Sequence, residues 1–373
     1  MLLELFRSLA DGFPALNVFN YLTLRAVLAA LTSMGIGFAL GPWMIARLKN
    51  LHFGQAVRTD GPKTHLVKDG TPTMGGALIL FAITVSTLLW ADLSNRFIWV
   101  VLFVTLGYGS IGWIDDYRKV VHHNPKGMSA REKFSWQSVI GLAAAFYLVF
   151  ALSVPAGGTL TETIAGWVEA GFPLDISSNL HLLIPCFKDI ALPLGLVGFM
   201  VFTYVVIVGS SNAVNLTDGL DGLATGVSVP IVAVLGVLAY LSGHIVYADY
   251  LNIMYIPDSG ELVVFAAAFA GALVGFLWYN SFPAQIFMGD TGSLSIGGII
   301  AVFALCIRKE LLLPLLCGVF LVESFSVMMQ VGYFKYTKRK YGEGQRLLLM
   351  APVHHHFQKK GQFETKIVLR FWI

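Results

Sequence analysis

LVVFAAAFAGALVGFLWY, residues 262–279, holds no charged side chain and is bounded by Glu261 and Asn280. As an α-helix rising about 1.5 Å per residue it reaches about 27 Å, close to the roughly 30 Å hydrocarbon core of a bilayer. Comparable apolar runs between polar breaks place spans near 22–46, 72–91, 97–114, 134–154, 193–211, 222–242, 261–279, 286–307 and 311–334. A tenth run begins near Ile367, stops at Ile373 and reads as a last helix cut short. The expected fold is therefore all-α, a polytopic membrane helix bundle of about ten transmembrane helices. No linker or repeat divides residues 1–373, so a single domain is expected.

Composition agrees with this reading. Of 373 residues, 56% are hydrophobic and 13% charged, with a mean hydropathy of +0.71. Soluble domains carry about 25% charged residues, so a soluble globule is excluded, together with disorder, collagen and coiled coil. A net charge of +3 is too small for the dense basic footprint of a nucleic-acid partner. Cys186, Cys306 and Cys317 are isolated and lack CxxC spacing, so they read as packing residues. Glu4 and Asp11 occupy the place of a basic signal-peptide n-region, so the first span is expected to insert directly.

Lys and Arg concentrate in the connections 47–68, 118–133 and 335–370, whereas 92–96, 155–192, 242–260 and 308–310 hold few. Alternation places the three basic connections on one face, which the positive-inside rule assigns to the cytoplasm, with the N-terminus outside. The long segment 155–192 has room for a hairpin or an interfacial helix and shows no chemical motif.

The unusual polar clusters all fall at the cytoplasmic ends of spans. Lys68 to Gly76 leads into the second span, with Pro72 suited to a first helical turn and Thr71 to a cap. A plain helix start explains Thr, Pro and Gly there; it explains Lys68 less well unless an anion is expected. Asp115-Asp116 closes the third span, where adjacent acids oppose the helix dipole and each other. Either Arg118 and Lys119 balance them, or they serve a divalent cation or a proton. Asn212, Asn215, Asp218 and Asp221 interleave with Gly between two spans, and capping requires only some of them. Asp290 lies among apolar residues and Gly, and an intramembrane carboxylate is a functional candidate by default. Pro352-Val353-His354-His355-His356 sits in the last basic segment, where a ligand-facing role is weighed against adventitious metal binding.

Carboxylates without cysteine favour a hard cation such as Mg²⁺ with phosphate oxygens, and Lys and His beside them neutralise phosphate charge. That combination describes phosphoryl transfer at a membrane surface, with no Walker motif for ATP hydrolysis. A transporter would gather its acids near the midplane, whereas these gather at one face.

The segments Thr71 to Gly76, Asp115-Asp116, Asn212 to Leu223, Phe287 to Ser293 and Met350 to His356 resemble those of the polyprenyl-phosphate N-acetylhexosamine-1-phosphate transferases. The Pro-Val-His-His-His signature resembles the phospho-N-acetylmuramoyl-pentapeptide transferases within that group. The resemblance implies transfer from UDP-MurNAc-pentapeptide to undecaprenyl phosphate, giving lipid I and UMP for peptidoglycan, in the bacterial inner membrane. It also implies ten helices and a homodimer. Carried over by motif, Asp290 is the chief Mg²⁺ ligand with Asp116 near the metal, and Asp115 is the base or lipid-phosphate contact. Asn212, Asn215, Asp218 and Asp221 would shape the nucleotide and sugar region, with Asn280 and Phe287 at the uracil. Thr73 belongs to the substrate-binding set, Lys68 and Lys133 face phosphate, and His354, His355 and His356 face the donor. The runner-up within the group is transfer of GlcNAc-1-phosphate to the same lipid.

Overall fold

In the computed structural model, residues 1–51, 70–121, 127–155, 157–174, 180–184 and 187–373 are described. The chain is a multi-pass bundle of apolar helices. A short helix α1 (Leu2–Leu9) precedes α2 (Leu22–Asn50), α3 (Gly76–Trp90), α4 (Arg96–Val121) and α5 (Ala130–Ser153). Then α6 (Leu160–Glu169) and an antiparallel hairpin of β1 (His181–Ile184) and β2 (Phe187–Pro193) fill the long connection. Thr159 starts α6 through a capping box with Glu162, so this segment contains both a helix and a hairpin.

The second half comprises α7 (Gly195–Thr217), α8 (Leu223–Ser242), short α9 (Ile245–Tyr250), α10 (Leu262–Asn280) and α11 (Gly289–Cys306). It ends with α12 (Leu313–Leu316), α13 (Gly318–Tyr341), α14 (Val353–Lys359) and α15 (Glu364–Trp372). Among the described residues, seven helices are long and apolar enough to cross a membrane. The segment Glu310–Leu316 with α13 forms an eighth candidate bent by 79°, and α3 is a shorter apolar helix of 15 residues. Every span expected from the sequence thus corresponds to a helix, although the 311–334 run is broken rather than straight. At nine residues, α15 is too short to cross.

Helix α11 is the axis of the bundle. Every residue from Thr291 to Cys306 is buried, enclosed by α3, α4, α7 and α8. Small residues allow that enclosure, as in other membrane bundles. A Cβ on Gly112 of α4 would overlap the Asp290 carbonyl, so α4 meets the first turn of α11 backbone to backbone. Cys306 and Cys317 are buried free thiols, consistent with packing roles; Cys186 lies outside the described residues.

Several helix boundaries differ from the sequence reading: α7 and α13 run past residues 211 and 334 to Thr217 and Tyr341, and two further differences shape the site. Pro72 does not begin a helix: its carbonyl accepts from Phe287 N at 2.8 Å, while Gly75 N and Gly76 N donate to Phe287 O at 2.9 Å and Met288 O at 2.8 Å. That extended pairing with a distant segment uses the groups a first turn would employ, and α3 starts at Gly76. Conversely, α4 continues past residue 114 to Val121, carrying Asp115, Asp116 and Lys119 in helical register.

Candidate active site

The antiparallel order brings the start of α3, the end of α4, the start of α5, the end of α7 and the start of α11 to one end of the bundle. Asp115, Asp116 and Asp290 converge there, with one carboxylate oxygen from each lying within 4.8 Å of the others. Asp115 and Asp116 are buried, and Asp290 is the most open of the three.

Each carboxylate has a distinct environment. Asp116 accepts from Asp290 N at 3.2 Å, Thr291 N at 3.0 Å and Thr291 Oγ1 at 2.7 Å. It therefore satisfies N–H groups that the first turn of α11 leaves without helical partners, and the positive end of the α11 dipole offsets the charge. This resolves the apparent cost of adjacent acids: α11 supplies the compensation for Asp116. Gly289, just before Asp290, has φ +73°, and a Cβ there would lie 2.6 Å from Asp116 Oδ2. Only glycine suits both the left-handed backbone and the close approach.

Asp115 accepts from Met128 N at 2.6 Å and pairs with Lys119 Nζ at 2.6 Å and Lys133 Nζ at 3.0 Å. Lys119 also reaches Asp290 Oδ2 at 3.3 Å, and Lys133 pairs with the same oxygen. Asn215 Nδ2 donates to the other Asp290 oxygen at 3.0 Å and to Ser293 Oγ at 2.8 Å. Two ammonium groups thus bridge two of three carboxylates, leaving one negative charge in excess. Asp218 lies just beyond α7, half-buried. Burial, and then the negative charges of Asp290, Asp116 and Asp221, push its pKa up to about 8.

Other residues singled out in the sequence are placed less centrally. Asn212 turns toward α5, donating to Gln137 Oε1 at 2.9 Å and Val208 O at 2.8 Å. Asp221 accepts from Ala284 N at 3.0 Å, and its own N–H donates to Glu364 of α15 at 2.9 Å. The Asn280 amide is committed to Thr225 Oγ1 at 2.9 Å and Ile286 O at 3.0 Å. Phe287 is half-buried, beside buried Thr73 in the paired 72–76 and 287–288 segments. Lys68 lies outside the described residues.

The rings of His354 and His355 pack edge to face with centroids 4.1 Å apart, but the three histidines have different polar partners. His354 is fully buried, with Nδ1 3.1 Å from Glu323 Oε2 on α13. His355 Nδ1 lies 2.9 Å from Gln358 Oε1. His356 Nδ1 accepts from Leu349 N at 3.1 Å, and partial burial with neighbouring Lys360 holds its pKa below the usual histidine value.

Sequence reasoning treated Lys119 only as a balancing charge and omitted Glu323, Thr291 and Gln137. Lys119 was discoverable from its i+4 spacing to Asp115, and Glu323 as the lone acid inside the last apolar run. Gln137 and Thr291 carried no comparable signal.

The site offers hard oxygen donors bearing more negative charge than the adjacent lysines neutralise, which fits a divalent cation flanked by phosphate-binding cations. The family model described as Glycosyl transferase family 4 matches residues 98–308, a stretch that includes Asp115, Asp116, Lys119, Lys133, Asn215, Asp218 and Asp290 but not the histidine run.

Proposed function

The chain belongs to glycosyl transferase family 4, and on that premise we propose that it moves phospho-MurNAc-pentapeptide from its UDP carrier to undecaprenyl phosphate. The products are lipid I and UMP, made at the cytoplasmic face of a bacterial inner membrane. Phospho-sugar transfer to a polyprenyl phosphate follows from the family. The muramoyl donor is the finer reading and rests on Pro352 to His356. The observation that carries the chemistry is the convergence of Asp115, Asp116 and Asp290 with Lys119 and Lys133 at one end of the bundle.

In the proposed reaction an oxygen of the lipid phosphate bonds to the sugar-bearing phosphorus of the donor. The bond from that phosphorus to the bridging oxygen breaks, and the bridging oxygen leaves with its electron pair on UMP. Mg²⁺ held by Asp290, with Asp116 nearby, would screen the phosphate oxygens and the departing UMP. Lys119 and Lys133 bring the opposing charges that let two anionic phosphates approach, the main requirement of phosphoryl transfer. Asp115 keeps both ammonium groups at the site. A lipid phosphate dianion is already nucleophilic, so direct attack needs screening more than a base, and no carboxylate has to become phosphorylated. Asn215 orients Asp290, and Asp218 is near enough to feel its charge.

The test is UMP release by purified protein with Mg²⁺ and undecaprenyl phosphate, supplied separately with UDP-MurNAc-pentapeptide and UDP-GlcNAc. Turnover of the muramoyl donor alone supports the proposal. Turnover of UDP-GlcNAc alone would transfer the assignment to the GlcNAc-1-phosphate branch. A phosphorylated aspartate formed with donor alone, and then chased by lipid phosphate, would replace direct attack with a two-step route.

A further inference from the structure

Glu323 is the one charged residue between Gly318 and Phe334 of α13. It is fully enclosed, and among the described residues neither of its oxygens completes a hydrogen bond. A carboxylate in that setting is costly without a partner. The neighbouring polar group is His354, equally enclosed, whose Nδ1 lies 3.1 Å from Glu323 Oε2. No hydrogen bond is completed between them, but at that distance the acid's charge favours a proton on Nδ1, so Glu323 biases both the tautomer and the orientation of the ring.

The opposite edge of that ring has one direction left. Nε2 abuts Gly219, where a Cβ would overlap it. Gly219 belongs to the turn between α7 and α8, directly after Asp218 and four residues beyond Asn215, whose amide holds Asp290. The ring is thus a wedge between α13 and the turn that leads from the acidic cluster into α8.

We infer that Glu323 is a positioning residue for donor binding, acting through His354 on the Asp218-Gly219 turn to shape the subsite of the nucleotide-linked phospho-sugar. The inference rests on the reading of the histidine run as donor-facing. Glu323 itself touches no reacting atom.

The test is a double-mutant cycle with Glu323→Gln, His354→Asn and the pair, measured with whichever UDP-sugar the protein turns over. Glu323→Gln is expected to raise the donor KM about tenfold, the scale of one lost charged contact, while the lipid-phosphate KM stays constant. The double variant should match His354→Asn alone within about twofold, because the two residues act as one unit. Gly219→Ala, which pushes on the ring while leaving Glu323 in place, should raise the donor KM in the same direction. UMP binding to each variant reports donor-side affinity even where turnover is slow or a variant is less stable. Additive losses in the double variant would overturn the inference, as would equal changes in both KM values or a donor KM indifferent to Gly219→Ala. Because the cycle uses any donor that reacts, failure of the muramoyl assignment and failure of this inference give different results.

Discussion

The two ends of the bundle bury charge in opposite ways. Where α2 and α10 begin, Arg25 and Glu261 are paired one to one, with Nη2 to Oε2 at 2.9 Å and Glu261 also accepting from Asp92 N at 2.7 Å. Arg25 in turn donates to Trp90 O at 3.1 Å, tying α2, α3 and α10 together. At the other end, three aspartates share two lysines. A balanced pair holds helices in place and has nothing further to bind, whereas an unbalanced cluster enclosed by protein retains affinity for a cation. The difference separates architecture from chemistry within one helix bundle.

Substitutions at each end should therefore have opposite signatures. The largest effect is expected for Asp290→Asn, which should reduce UMP release on the order of a thousandfold or more, the scale for removing a preorganised charge-stabilising group. Its melting temperature should stay close to that of the parent. Glu261→Gln should behave conversely: it leaves the Arg25 charge buried and uncompensated, a loss of about 3–5 kcal/mol. Thermal unfolding should show that loss while turnover of the folded protein stays near normal. If Glu261→Gln lost activity without stability, the contrast between the two ends would fail.

A smaller effect sharpens the contrast. Lys119→Met removes one of the two cations beside the acids, so divalent-cation binding should tighten severalfold while the KM values for the phosphate substrates rise. Calorimetric titration with Mn²⁺, beside the kinetic assay, checks both directions. A last effect is read against pH and concerns Asp218. Its folded-state pKa, raised to about 8, lies above the unfolded value of about 3.9. The folded protein therefore binds the proton more tightly, and this contribution is complete below about pH 4 and lost as pH rises toward 8. Asp218→Asn should remove that pH dependence, so metal-free melting curves of parent and variant should diverge progressively between pH 5 and 8.

The helical membrane fold was legible because spans depend on apolar run length, which composition and spacing report directly. Boundaries were less legible where distant backbone intervened: the pairing of residues 72–76 with 287–288 displaces the start of α3, and no local pattern announces it. At the site, Asp290 stood out because an acid among apolar residues is costly, and Asp115 and Asp116 stood out because two acids end one helix. That α11 caps Asp116 could not be read from either segment alone. The histidine run was visible as a unit, and the rings of His354 and His355 do meet edge to face at 4.1 Å, yet their polar partners differ: Glu323 for His354, Gln358 for His355 and the Leu349 backbone for His356. Glu323 was within reach of the same rule that selected Asp290, but the polar clusters at helix ends outweighed a single acid inside a run.

The central claim is that excess negative charge at Asp115, Asp116 and Asp290 holds one divalent cation. Manganese titration of the purified, substrate-free protein, followed by electron paramagnetic resonance, addresses it directly. One bound Mn²⁺ per chain is expected for the parent and none at the same concentration for Asp290→Asn. Equal occupancy in the two proteins would place the cation elsewhere and contradict the account.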